Sequence, residues 1–157
     1  MKLISERIQD RHRRWWAENE DVPDKHLAEK MAGRKYAKSM GVKVPELYHQ
    51  SERIEYIPSF DTLPSKFVIK PSRGWSANNV FALLDGINLL DGNDWTREEI
   101  IEHIVAQPKV NENPRTTMMV EEFLVSWDGE EKIPLDYKFY MFGEKVSYIH
   151  VVERNSN

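Results

Sequence analysis

The stretch Lys66-Phe67-Val68-Ile69-Lys70-Pro71-Ser72-Arg73-Gly74-Trp75-Ser76-Ala77-Asn78-Asn79-Val80 decides how this chain is read. It predicts a strand carrying one lysine among apolar residues, a small polar loop, and a second strand. A strand does not bury an ammonium without an anion to meet it. Loops rich in Ser, Asn and Gly turn backbone N–H groups toward one point, where an anion can sit. A lysine beside such a loop points to a nucleotide. A plain β-hairpin with the lysine snorkelling at its rim fits the same residues.

Working outward, the order of elements predicts an α+β chain. Leu3, Ile4, Ile8, Trp15 and Trp16 predict an amphipathic helix over residues 3–19. Asp21-Val22-Pro23-Asp24 breaks it and offers caps to a second helix over 25–40, which Gly41 closes. Pro58 and Pro64 limit regular structure in 46–65. Asp85-Gly86 is a turn signal after a strand over 79–84. Thr96 and Glu99 form a capping box, with Trp95 and Ile100 as its staple, and Ile101, Ile104 and Val105 predict the buried stripe of the third helix. Residues 117–121 predict a strand. Segments 136–142 and 145–152 predict a hairpin around Gly143-Glu144, where glycine suits a type II′ turn.

Composition narrows the function classes. The 157 residues carry 40% hydrophobic and 11% aromatic side chains, as a globular chain does, and no apolar run approaches the roughly 20 residues of a membrane span. Met1-Lys2-Leu3-Ile4 turns charged at once, unlike a secretory signal, so a cytoplasmic location is expected. There is no cysteine, which removes disulfides, thiolate catalysis and cysteine-held metals. The net charge of −4 argues against general nucleic-acid binding. Arg11, Arg13 and Arg14 suggest such contacts locally, but residues 1–20 hold five basic and four acidic side chains. His12, His26, His49, His103 and His150 show no zinc-like spacing. In 136–142 the period of two puts Asp136 and Lys138 on one face, either as a surface ion pair or as the polar wall of a cleft.

Taken in order, these pieces resemble an ATP-grasp protein, most closely the branch named for teichuronopeptide biosynthesis, with the ribosomal-protein glutamate ligases as a more distant comparison. The resemblance runs from about Leu27 to Arg154. Leu27-Ala28-Glu29-Lys30 with Arg34, Tyr36, Gly41 and Pro45 is similar to the family helix that opens on a nucleotide-contacting lysine, here Lys30, with Lys25 as the rival. Phe67-Val68-Ile69-Lys70-Pro71 resembles the strand whose lysine meets the α- and β-phosphates. The loop after it, with Ser72, Gly74 and Ser76, resembles the phosphate cover. Val120-Glu121-Glu122-Phe123-Leu124 resembles the hinge whose backbone recognises adenine. Asp136-Tyr137-Lys138 resembles the family's Asp-x-Lys, and Arg154 sits where relatives often hold another arginine.

The resemblance implies an N-terminal helical segment over 1–50, a small lobe over 51–124, and the start of a large lobe over 125–157. It implies ATP and Mg2+ as cofactors, and a ligase that joins a carboxylate to an amine or similar nucleophile through an acyl-phosphate, with cell-surface polymer synthesis as the implied setting. The family loop has more glycines, whereas this one has Gly74 alone, with Arg73 and Trp75 beside it. The family's magnesium-binding Asp and Glu-x-Asn follow the hairpin, and the sequence stops at Asn157 before any such segment. A truncated relative is therefore expected, with nucleotide binding a safer expectation than turnover. The other expectation is a non-catalytic module with a degenerate cleft. The ligase expectation predicts that Lys70→Ala weakens ATP binding without unfolding the chain; the module expectation predicts that no acceptor yields ADP.

Overall fold

The computed structural model describes residues 3–21, 25–74, 77–107 and 116–154. They form an α+β structure that divides into two compact units, Met1–Val44 and Pro45–Asn157.

In the first unit, α1 spans Ile4–His12 and continues as a π-helical turn, Arg13–Ala17, in which the Glu18 N–H donates to the Arg13 carbonyl at 3.1 Å. The Arg11 guanidinium lies 3.9 Å over the Trp15 ring. Ile8, expected in a buried stripe, is half-exposed. The second helix starts later than its sequence pattern predicts. Lys25–Ala28 is a 3-10 turn, and α2 runs Lys30–Ser39. Its cap is Glu29, whose carboxylate accepts from the Met31 and Ala32 N–H groups at 3.0 and 2.8 Å. Glutamate is not a favoured cap, which hides this start in the sequence; the aspartate Asp24 lies outside the described residues. The end is as expected. Gly41 has φ +76, its N–H reaches the Lys38 carbonyl at 3.1 Å, and the Val42 N–H reaches Ala37 at 3.0 Å, the two bonds of a Schellman motif. Tyr36 on α2 and Met40 at its C-cap are exposed.

The second unit is built on an antiparallel five-stranded sheet in the order β1-β5-β2-β3-β4. The strands are β1 Leu47–Ser51, β2 Lys66–Pro71, β3 Phe81–Leu84, β4 Ile87–Asn88 and β5 Met118–Glu122. Alternation in β2 sends Phe67 and Ile69 to one face and Lys66, Val68 and Lys70 to the other. Phe67, Ile69, Phe81, Leu83, Met118 and Val120 form the core with Ile54 and Ile57, and α3 (Arg97–Val105) covers them with Ile100 and Ile104. Ile101 packs at its edge, whereas Val105, expected in the buried stripe, is half-exposed. In the β3–β4 turn, Asp85 and Gly86 have φ +49 and +89, the left-handed pair of a type I′ turn.

A separate two-stranded ribbon pairs β6 (Asp136–Phe142) with β7 (Lys145–Val152). Gly143 at its tip has φ +63, as a type II′ turn requires. Tyr137, Phe139 and Met141 stand opposite Val151, Ile149 and Val146, and all of them are exposed. Among the described residues no helix is long and apolar enough to cross a membrane.

The capping box of α3 is complete, with the Thr96 hydroxyl accepting from the Glu99 N–H at 3.2 Å and the Glu99 carboxylate accepting from the Thr96 N–H at 2.8 Å. Thr96→Ala is expected to cost about 1 kcal/mol. Urea denaturation checks this, and an unchanged midpoint would show that the box contributes nothing.

Candidate functional site

Period two on β2 places Lys70 on the sheet face opposite the core. Beside it, β5 pairs Met119 with Lys70 and Glu121 with Val68, which sets Glu121 diagonally across from Lys70 on that same face. The Lys70 ammonium donates to the Glu121 carboxylate. The pair is largely withdrawn from water, with side-chain exposures of 23% for Lys70 and 7% for Glu121. The anion that a buried lysine demands is thus supplied by the chain itself. Removing one member of such a pair costs about 3–5 kcal/mol. Lys70→Ala therefore tests stability along with binding.

The loop after β2 starts later than the sequence suggests. Ser72 is fully buried; its N–H donates to the Thr117 carbonyl at 2.8 Å and its hydroxyl oxygen accepts from the Thr117 N–H at 3.0 Å. It thereby extends the β2–β5 ladder beyond Pro71 and Met118. Gly74, Ala77 and Asn79 follow with φ of +105, +58 and +56. Left-handed backbone at a residue with a Cβ costs about 1–2 kcal/mol, and such strain gathers at ligand clamps. The Arg73 Nε is buried without a hydrogen-bond partner. Trp75 and Ser76 lie outside the described residues.

In the segment read as a hinge, Glu122 is held by the chain. Its carboxylate accepts from the Glu46 N–H at 2.9 Å, and its own N–H donates to the Glu46 carbonyl at 2.8 Å. Burial, and then the charges of Glu122 and Glu46, push the Tyr48 phenol above its ordinary pKa. Phe123 is buried, and Leu124 and Val125 are half-exposed. Beyond them Trp127 stands 84% exposed. The Lys66 ammonium ties back to Glu131 at 2.8 Å.

Asp136 and Lys138 share a face of the β6–β7 ribbon and meet at 2.8 Å, with Arg154 at 3.5 Å from the same carboxylate oxygen. The Lys138 hydrogen bond, outweighing burial, holds the Asp136 carboxyl below the usual aspartate range, and the Arg154 charge adds to it. Among the described residues, no hydrogen bond or ion pair links Lys70 to Lys138 or Asp136. The structure brings together Lys70 with Glu121, and Asp136 with Lys138 and Arg154, on different sheets.

The two candidates for the first nucleotide lysine both lie in the first unit. Lys30 opens α2. Lys25 donates to the Trp15 carbonyl and, at 3.2 Å, to the Asn19 side chain. An ammonium on a carbonyl at a helix end is a capping contact. Among the described residues no group of three or more His, Asp or Glu side chains could hold a metal ion. The bonds of Glu121 to Lys70 and of Glu122 to Glu46 are not visible in the sequence. Alternation shows that the adjacent acids face opposite ways, but not which strand lies beside them.

No protein-family model, curated protein or solved structure matches the chain.

The depressed Asp136 carboxyl favours the folded ribbon above the ordinary aspartate pKa of about 3.9, and this contribution fades as pH falls through the lower folded value. Carboxyl-carbon NMR titration should place its midpoint below that of an unpaired aspartate, and Lys138→Met should move it upward. An identical midpoint in the two proteins would remove Lys138 as the cause.

Proposed function

We propose that the chain is an ATP-binding protein of the ATP-grasp type, built on the small lobe and hinge of a carboxylate–amine ligase. The observation that carries this reading is the end of β2. There Lys70 precedes a loop with three left-handed residues and an Arg73 Nε that lacks an acceptor. A phosphate chain supplies acceptor oxygens for such donors. The sheet supports the reading too, since β5 runs beside β2 and leads straight into the exposed stretch at Leu124 and Val125. Among the described residues no three or more His, Asp or Glu side chains gather, so no step through a metal is assigned to them.

A second reading, a binding module without ligase turnover, is favoured by a specific observation. Lys70 and Lys138 are each already neutralised by a carboxylate of the chain. Positioned positive charge is what phosphoryl transfer needs most. Under this reading ATP binds and no acceptor yields ADP.

Calorimetric titration with ATP, with and without magnesium, tests both. The double variant Lys70→Met/Glu121→Gln removes the two charges together, since replacing a buried pair is close to neutral where breaking it is not. It should stay folded and lose ATP affinity by about tenfold or more. Affinity equal to the parent's would overturn the role of β2 in binding.

A further inference from the structure

We propose that Glu121 is the selectivity-determining residue of the Lys70 site, a resident counter-ion that only a polyphosphate can displace. This rests on the nucleotide reading above and deepens it. Glu121 belongs to a strand bonded on both edges, by β1 and by β2, and its side chain is nearly closed to water. It is therefore the fixed member of the pair. Lys70 is the adjustable one, with a four-carbon stem and an ammonium more open to solvent than its partner.

An anion that takes the ammonium costs the buried Glu121 carboxylate its contact with Lys70. That cost is the same for every anion, while the gain grows with the charge brought in. A carboxylate or single phosphate offers the ammonium little more than Glu121 already does. A chain of phosphates offers more charge to the one ammonium, and more oxygens among which it can choose. The carboxylate thus sets a threshold of ligand charge.

Inorganic tripolyphosphate and inorganic phosphate are the probes, titrated calorimetrically into the parent and into Glu121→Gln. The variant should bind tripolyphosphate about tenfold more tightly and gain single-phosphate affinity that the parent lacks. A parent that binds tripolyphosphate, with a variant that binds it no better, would overturn the counter-ion role and leave the nucleotide reading standing. Absence of binding in both proteins would overturn the two together. Should Glu121→Gln fail to fold, Glu121→Asp keeps the charge and withdraws it by one methylene. It should shift affinity in the same direction by a smaller factor, and an unshifted affinity would likewise overturn the counter-ion role.

Discussion

Strand β5 lies between β1 and β2 and hydrogen-bonds to both, although 51 residues separate Glu121 from Lys70. On one face Met118 and Val120 complete the core under α3. On the other, Glu121 meets Lys70. At the two ends, Thr117 holds Ser72 and Glu122 holds Glu46. Lys70, Ser72 and Glu46 are thus each held by β5 or by the residue that leads into it.

The local elements are legible in the sequence because their signals are local. The bounds of β2, the Thr96–Glu99 box, the Asp85-Gly86 turn and the Gly143 ribbon tip each depend on a few neighbouring residues. The start of α2 is not legible, because Glu29 caps it and a glutamate reads as an ordinary helix residue. Val105 departs from its expected burial because the stripe of α3 is set by the sheet it covers, which turns Ile100 and Ile104 inward.

The candidate site is legible only in part. Lys70 stands out because an ammonium among apolar residues needs an explanation. Its partner does not, because nothing near Lys70 in sequence tells which strand will lie alongside. Asp136 and Lys138 are easier, since strand alternation alone puts them together. Ser72 reads as loop because serine favours turns, yet its hydroxyl is consumed as a substitute ladder rung.

The Lys66–Glu131 contact has a different character from the ion pair four residues further along β2. Both its side chains are substantially exposed, whereas Lys70 and Glu121 are enclosed. Ions in solution screen charges in water over about 8 Å at physiological strength and reach enclosed pairs far less. Raising ionic strength should therefore slacken the tether of the acidic segment around Glu131 while the sheet beneath it keeps its grip. The same strand face holds one contact that the medium tunes readily and one that it tunes far less.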